Sequence, residues 1–255
     1  MSDHLEIFLL GDVAFHLNEQ AIDNLTSRKA IALFIYLVCN RRPVSRDRLT
    51  DLFYGELPQA RARANISVLL SRLHPLADYL HTTRHSVAFN ANDDCWLDTH
   101  MLEAQLTAVT AQIAADDGLC EETAALLEEA LALYRDDFLA GFHVSNTLGF
   151  EEWAVVERER LGRLVTEGLE QLVSYYVSAA QHQAGIEQAT RLLHLDPLNE
   201  GGHRQMMILL ALNGRRNEAL AHYQTCRRLL RAELAVEPSP DTTALYERIR
   251  SGDLG

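Results

Sequence analysis

The chain has 255 residues, of which 47% are hydrophobic, and a formal net charge of −13 at pH 7. This length accommodates one or two domains with a packed core, and no apolar run approaches the roughly 20 residues that span a bilayer. The N-terminus lacks the basic and apolar regions of a signal peptide, and the four cysteines are scattered without a CxxC pair. This pattern argues against a zinc site or a disulfide framework and predicts a protein of the reducing cytoplasm.

The charge is distributed unevenly along the chain. Between Arg28 and His85 there are ten basic and four acidic residues, a net charge of +6, whereas residues 98–255 carry a net charge of −12. Attraction to phosphate acts within roughly a Debye length, about 8–10 Å at ordinary salt. A locally positive segment can therefore bind nucleic acid although the whole protein is acidic.

The N-terminal segment predicts a small antiparallel sheet. The stretch "LEIFLLGDVAFHLNEQAI" alternates apolar and polar residues, with breaks at Gly11–Asp12 and Asn18–Glu19. Ser27 then predicts the N-cap of a first helix. The apolar residues of this helix recur at i, i+3, i+4, i+7 and i+8, namely Ala30, Leu33, Phe34, Leu37 and Val38.

Two further helices and a β-hairpin follow. Ser45 predicts the N-cap of a second, shorter helix that ends at Gly55, and Pro58 suits the first turn of a third, "QARARANISVLLSRL". The third helix has a predicted buried stripe of Ile66, Leu69, Leu70 and Leu73. Residues 80–82 and 87–89 predict two short strands around a basic tip. Three helices followed by a hairpin are the order of the winged-helix variant of helix-turn-helix.

The pattern is all-helical from Asp98 onward. A repeat with an offset of 34 residues aligns Leu172 with Met206, Tyr176 with Leu210 and Ala180 with Gly214. This period is typical of tetratricopeptide units, which stack as helical hairpins. The predicted fold class is thus an α+β N-terminal winged helix-turn-helix over residues 1–97, followed by an all-α tetratricopeptide-like domain over residues 98–255.

Three stretches carry a resemblance to a known family: "SRDRLTDLFYGELPQARARANISVLLSRL", "LLEEALALYRDDFLAGF" and "RRLLRAELAVEPSPDTTALYERI". They resemble the bacterial transcriptional activator domain family, which is best known from antibiotic-pathway activators, and the similarity runs from about Leu5 to Gly252. The resemblance implies a response-regulator-type winged helix before a tetratricopeptide-like activator domain. It also implies binding to direct repeats near promoters and contact with RNA polymerase, and we expect the acidic half to pair protomers as a homodimer on DNA.

Two departures from the family pattern matter. Where relatives often carry further arginines on the third helix, this chain has Ser67, Val68 and Leu69, which puts its DNA affinity and base preference in doubt. Some similar proteins also continue into a nucleotide-binding ATPase region. The sequence therefore leaves open whether it is a complete short regulator or a fragment of a longer protein.

The third helix supplies the candidate base-reading residues. Its outward face combines small residues with arginines, and the major groove of DNA admits one α-helix. We expect Arg61 and Arg63, near the N-terminal end, to pair with guanine, and Asn65 to pair with adenine. The same predicted DNA-binding surface includes Ser67, Ser71 and Arg72.

Further candidates lie on the second helix and on the hairpin tip. Arg46 and Arg48, at the start of the second helix, are placed to contact phosphates, which position a protein without reading sequence. Arg84 and His85 at the tip are placed to enter an adjacent A·T-rich minor groove. The alternative for each is ordinary solvated surface charge, or arginines paired with nearby acidic residues.

No enzymatic motif is present. The chain lacks GxxxxGK[ST], GxGxxG, GxSxG and HExxH, so we expect no enzymatic activity, no cofactor, no metal site and no membrane partner. The main alternative to a double-stranded-DNA-binding regulator is a tetratricopeptide interaction scaffold that does not bind DNA. A regulatory fragment of a larger signalling ATPase is the other alternative.

Overall fold

A computed structural model describes residues 4–90, 95–115 and 118–253 of the chain. These residues form two units, Met1–Met101 with Leu133–Leu161, and Leu102–Ala132 with Gly162–Gly255. The division by packing thus differs from the predicted boundary between residues 97 and 98, because the segment Leu133–Leu161 packs with the N-terminal residues. As a boundary between sequence modules, the division at residue 97 remains a prediction.

The helices and strands follow one another in the predicted order, with several additions. In chain order they are β1 (Leu5–Phe8), β2 (Ala14–Leu17), β3 (Gln20–Ala21), α1 (Arg28–Cys39), β4 (Val44–Ser45), α2 (Arg46–Tyr54), α3 (Gln59–Ser71), a 3₁₀ helix (His74–Tyr79), β5 (Leu80–Thr82), β6 (Ser86–Phe89), β7 (Cys95–Leu97), α4 (Asp98–Ala115), α5 (Glu121–Ala132), α6 (Leu148–Ser178), α7 (His182–Leu195), α8 (Glu200–Leu212), α9 (Arg216–Leu234) and α10 (Pro240–Ser251).

The first unit contains two small sheets. One has the strand order β3-β2-β1-β7, in which β1 and β2 are antiparallel as predicted and β7 runs parallel to β1. The other has the order β4-β6-β5, so that the predicted hairpin of β5 and β6 gains a third strand. The side chains of Leu5 and Ile7 point from β1 into the core and are fully buried, as the alternating pattern requires.

The first helix, α1, is buried more completely than its amphipathic pattern predicts. Ser27 caps it as expected, its hydroxyl accepting the N–H of Ala30. The predicted stripe is buried, but Ile35 and Tyr36, on other sides of the helix, are also only 0% and 5% exposed. A helix that is apolar all around needs protein on every side.

An aromatic cluster from the segment Leu133–Leu161 supplies the missing cover. Trp153 of α6 packs with its ring centroid 5.0 Å from that of Tyr36, and Phe150 stacks on Phe53 of α2 at 5.6 Å. Close approach of the backbones makes this packing possible, since a Cβ at Gly149 would lie 3.1 Å from the Cα and the carbonyl oxygen of Leu52. The helices α1 and α2 therefore share one core with α6.

A buried carboxylate joins the first sheet to the same segment. Asp98 is 1% exposed, and its Oδ2 accepts the backbone N–H groups of Leu9 and Leu10 at 2.8 and 2.9 Å. Arg135 approaches the same oxygen at 3.4 Å. Burial raises the pKa of Asp98, and the N–H donors and the guanidinium act in the opposite direction. The carboxylate satisfies two backbone donors that the end of β1 leaves unpaired.

The second unit shows the 34-residue repeat in its backbone. Gln181 donates its N–H to the carbonyl of Tyr176, and Arg215 donates in the same way to Leu210. The residues just before the donors, Ala180 and Gly214, are both left-handed, with φ of 56° and 74°. The helix ends before α7 and before α9 therefore have equivalent C-terminal caps 34 residues apart.

Small residues let the helices of this repeat approach closely. A Cβ on Gly185 of α7 would lie 2.6 Å from a methyl carbon of Leu209 and 3.1 Å from the Cβ of Tyr176. Ala219, 34 residues later in α9, is fully buried. The predicted stacking of helical hairpins on small residues is thus present between α6 and α10.

Two histidines pair in the second unit, where His203 is buried and His222 is half-buried. A carbonyl oxygen only accepts, so His203 donates through Nε2 to the carbonyl of Pro197 at 2.9 Å. Its Nδ1 then accepts the Nε2–H of His222, also at 2.9 Å. Burial lowers the pKa of His222 to about 4, with the facing His203 adding to the effect. Burial lowers the pKa of His203 as well, so the fold favours the neutral form of both rings.

We expect Asp98→Ala to lower the free energy of unfolding by about 2–5 kcal/mol, since it leaves two buried N–H donors unpaired. Urea unfolding followed by circular dichroism measures the change. Asp51→Ala, which removes an exposed aspartate of α2, is the matched control and should stay within about 0.5 kcal/mol of the wild type. A loss below about 1 kcal/mol for Asp98→Ala would contradict the assigned role of the carboxylate.

We expect acid to destabilise the second unit through His222. Its folded pKa lies below that of an unfolded histidine, so the neutral form stabilises the fold above about pH 6.5 and the stabilisation is lost as the pH falls toward 4. In His222→Gln the side-chain amide can still donate to His203, and unfolding midpoints at several pH values should fall less steeply over this window. An exposed histidine, His81, provides the control His81→Gln, and equal slopes for all three proteins would refute the assignment.

Candidate nucleic-acid interface

Most of the predicted apolar stripe of α3 is buried against the core. Ile66, Leu69 and Leu73 are at most 3% exposed, whereas Leu70 is only half-buried. Ala62, which lies one turn before Ile66, completes the buried stripe. The helix is thus anchored along one narrow side, and the remaining sides are free to carry other functions.

The start of α3 differs from the prediction by one position. Pro58 is the N-cap, with φ −53° and ψ 137°, and the helix begins at Gln59. The carbonyl of Pro58 accepts the N–H groups of Arg61 and Ala62 at 2.9 and 3.0 Å. The placement of Pro58 in the first turn was therefore wrong, because its extended ψ makes it the residue that precedes the helix.

The outward side of α3 is exposed along its whole length. At about 100° per residue, Arg61 and Val68 fall on one line along the helix, Ala64 and Ser71 fall along the middle, and Arg63 falls on the opposite edge. The exposed residues of this surface are Arg61, Arg63, Ala64, Ser67, Val68, Ser71 and Arg72. We call these seven residues the α3 outer face.

The residue Asn65 lies at the margin of this surface. It is half-buried, between the core stripe and the line of Arg61 and Val68. Its predicted contact with adenine therefore depends on whether its side chain extends outward from the edge of the core.

The two N-terminal arginines of the α3 outer face have different surroundings. Arg63 pairs with Asp47 of α2, its Nε and Nη2 lying 3.1 and 2.7 Å from Oδ1. Both side chains are more than half exposed, and an exposed pair of this kind contributes about 0–1 kcal/mol. Arg61, by contrast, makes no ion pair with any residue that the structure describes. The alternative in which arginines pair with nearby acids thus applies to Arg63.

The C-terminal end of the α3 outer face contacts α1. Nη1 of Arg72 lies 3.4 Å from the hydroxyl of Ser27, the N-cap of α1. This is a long hydrogen bond from an exposed guanidinium, so it leaves most of the donors of Arg72 open to solvent.

The start of α2 is tied to the tip of the hairpin. The N–H of Arg46 donates to the carbonyl of His85 at 2.9 Å, and its Nε donates to the carbonyl of Thr83 at 3.1 Å. Arg46 is half-buried. The side chain therefore positions the tip, a role that the sequence did not predict because 37 residues separate the partners.

The hairpin tip is a compact turn that presents two side chains. The hydroxyl of Thr83 accepts the N–H groups of His85 and Ser86 at 3.2 and 2.9 Å. Arg84 and His85 project from this turn and are exposed.

Arg48 is also exposed, in the first turn of α2, where the hydroxyl of Ser45 accepts its backbone N–H at 3.1 Å. Within the described ranges no group of three or more His, Cys, Asp or Glu side chains is arranged to hold a metal ion.

Comparison with known proteins gives a family match over most of the chain. The model of the family described as bacterial transcriptional activator domain matches residues 97–250. Regulatory protein AfsR of Streptomyces coelicolor is 28% identical over 254 residues, covering 99% of this chain and 25% of AfsR. Regulatory protein DnrI of Streptomyces peucetius is 26% identical over 265 residues, covering 98% of this chain and 94% of DnrI. The chain thus spans a quarter of the length of AfsR and nearly all of DnrI.

A solved structure shares the fold. The structure of Mycobacterium tuberculosis EmbR in complex with a low-affinity phosphopeptide superposes with a TM-score of 0.75 and is 24% identical in sequence, covering 98% of this chain and 66% of the EmbR chain. Among the described residues, no helix combines the length and the apolar character needed to cross a membrane.

We expect the pair between Arg63 and Asp47 to contribute little to stability. Arg63→Ala and Asp47→Ala should each change the free energy of unfolding by less than about 1 kcal/mol, because both side chains are exposed. Urea unfolding of the two single variants and the double variant gives the coupling energy, which should not exceed about 1 kcal/mol. A coupling of several kcal/mol would mean that Arg63 is held for structural reasons and is not available to a ligand.

Proposed function

The chain belongs to the bacterial transcriptional activator domain family, and on this premise we propose that it is a sequence-specific DNA-binding regulator of transcription. In this proposal residues 1–97 are a winged-helix DNA-binding module and residues 98–255 are a tetratricopeptide-like activator module. The proposal rests on the resemblance of the sequence to the family and on the surface chemistry of the first unit.

The α3 outer face is the observation that carries the proposal. It is exposed along about three turns, and its central residues, Ala64, Ser67 and Ser71, are small. A helix enters the major groove most easily when no bulky side chain holds its backbone away from the base edges. The guanidinium of Arg61, at the N-terminal end, makes no ion pair with the described residues, and it is the group best supported as a base-reading residue.

The other candidate DNA-binding residues of α3 take complementary roles. Arg63 exchanges its exposed bond with Asp47 for an acceptor on guanine, and Asn65 at the margin hydrogen-bonds to adenine. The hydroxyls of Ser67 and Ser71 bond to base edges or to phosphate, and Arg72 contacts phosphate at the C-terminal end.

The second helix and the hairpin position α3 on the duplex. Arg48 contacts a phosphate, and Arg84 and His85 enter the adjacent minor groove, where an arginine is attracted most strongly over A·T-rich sequence. Arg46 acts mainly by holding the tip through Thr83, and it reaches phosphate only with the donors that this bond leaves open.

The acidic module supplies the protein contacts. Residues 98–255 carry a net charge of −12, which repels DNA and favours approach by the basic surface. By resemblance to the family, the protein binds direct repeats near promoters and contacts RNA polymerase. In this proposal the acidic module also pairs protomers as a homodimer on the DNA. The relatives AfsR and DnrI are named regulatory proteins, and EmbR is named a transcriptional regulatory protein.

A groove in the second unit favours the rival function of a peptide-binding scaffold. It has a volume of about 690 Å³ and is lined by apolar and polar side chains, among them Ile113, Leu119, Glu170, Tyr175 and Gln205. Helical repeat proteins bind extended peptides in grooves of this kind. A scaffold of this type needs no affinity for DNA, so DNA binding separates the two functions.

The test is selection of a binding site and its loss on substitution. A random duplex library is selected with the wild-type chain, and affinity for the selected site is compared with affinity for scrambled DNA. In Arg61→Ala/Arg63→Ala each lost arginine–guanine pair should reduce this discrimination about 5- to 150-fold. The control Arg228→Ala/Arg231→Ala removes the same charge from α9 and should retain the wild-type discrimination.

The salt dependence of the same binding identifies its mechanism. The logarithm of the binding constant should fall with the logarithm of salt concentration with a slope of about −0.9 for each phosphate contacted. If the wild-type chain selects no sequence and binds DNA weakly at every salt concentration, the regulator proposal is wrong and the scaffold is favoured. If the double variant discriminates like the wild type, the assignment of the two arginines is wrong.

A further inference from the structure

Val68 is an apolar side chain on an otherwise polar surface. It is 49% exposed, and within the described residues 4–90 it is the one large hydrophobic side chain exposed to this extent. Its neighbours on the α3 outer face are alanine, serines and arginines. An exposed valine is also a poorer helix former than alanine by a few tenths of a kcal/mol, so neither core packing nor helix propensity accounts for this residue.

The position of Val68 relates it to Arg61. The two residues are seven apart, so they lie on the same line of α3 and about 10.5 Å apart along its axis. Ala64, one turn before Val68, and Ser71, nearly one turn after it, are too small to cover it. Arg72, also one turn after it, extends its guanidinium to the hydroxyl of Ser27. Any surface that meets Arg61 along this line therefore also meets the two methyl groups of Val68.

The major groove offers one apolar group to such a side chain. Guanine, cytosine and adenine present only hydrogen-bond donors and acceptors there, whereas thymine presents the C5 methyl group beside its O4 acceptor. A valine between two small residues can reach this methyl group, and it cannot satisfy a donor or an acceptor. Opposite a G·C pair, Val68 would remove water from polar groups without replacing the hydrogen bonds.

We propose that Val68 is a specificity-determining residue that reads the C5 methyl group of thymine in the major groove, two helical turns from the base pair read by Arg61. This inference rests on the proposed function, and it assigns an A·T base pair to the middle of the sequence that α3 covers. Ala64 allows the close approach, and Ser67 and Ser71 bond to the polar groups around the methyl contact.

The test removes the methyl group from the DNA without changing base pairing. In the site selected by the wild-type chain, each thymine is replaced in turn by uracil, and affinities are measured at one salt concentration. Loss of one buried methyl contact should weaken wild-type binding about fourfold at one thymine. For Val68→Ser, which removes both methyl groups of the side chain, the same exchange should have no effect.

A second valine provides the matched control. Val155 of α6 is 46% exposed and belongs to the same unit, but it lies outside the α3 outer face. Val155→Ser should keep the fourfold sensitivity to uracil, and circular dichroism should show that both variants fold, because neither valine is in the core. Val68→Thr retains one methyl group and should keep part of the sensitivity.

The outcomes separate this inference from the function on which it rests. If the wild-type chain selects no sequence, the proposed function fails and the inference fails with it. If a sequence is selected but no thymine is sensitive to uracil, or if Val68→Ser retains the sensitivity, only the role of Val68 is overturned. Loss of sensitivity in Val68→Ser alone supports the assignment.

Discussion

The packing of Phe150 and Trp153 against α1 and α2 is the interaction on which the first unit depends. Their rings lie 5.0–5.6 Å from those of Tyr36 and Phe53, and α1 is buried on every side as a result. Without the segment Leu133–Leu161, the rings of Tyr36 and Phe53 would lose this cover and face water. Burial of such a side chain contributes about 1.5–3 kcal/mol. The helices that carry the basic surface are thus stabilised by residues far along the chain, while α3 keeps its outer face free.

Two hydrogen-bonded contacts fix the positions of charged side chains in the first unit. Asp47 holds Arg63 at the edge of the α3 outer face, and Arg46 holds the hairpin tip through Thr83. Both bonds are exposed or partly exposed, so they restrict the side chains at little energetic gain. Such restriction reduces the entropy that is lost when a charged ligand binds. Arg61 has no described partner, so it is the arginine that retains most conformational freedom.

Local signals predicted most of the elements, and contacts between distant residues were missed. Ser27 and Ser45 cap their helices as expected, and the offset of 34 residues reappears in the backbone bonds of Gln181 and Arg215, because caps and repeats are encoded within a few neighbouring positions. The parallel strand β7 and the aromatic cluster depend on pairing across 50 or more residues, and no local pattern encodes that. Within the candidate site, exposure of the α3 outer face followed from periodicity, but the partners of Arg46 and Arg63 did not.

The expected departure from the family at residues 67–69 concerns three neighbouring residues of α3 that do not all face outward. Leu69 is 3% exposed and belongs to the core stripe, so of these three residues only Ser67 and Val68 lie on the outward side of α3. An uncharged serine or valine supplies no long-range attraction to phosphate, and in the proposed function it makes only a short-range contact that depends on the identity of the base. A recognition surface with fewer arginines binds all DNA less tightly. In the proposed function, the ratio of specific to non-specific affinity then depends more on Arg61 and on the small side chains that follow it along the helix.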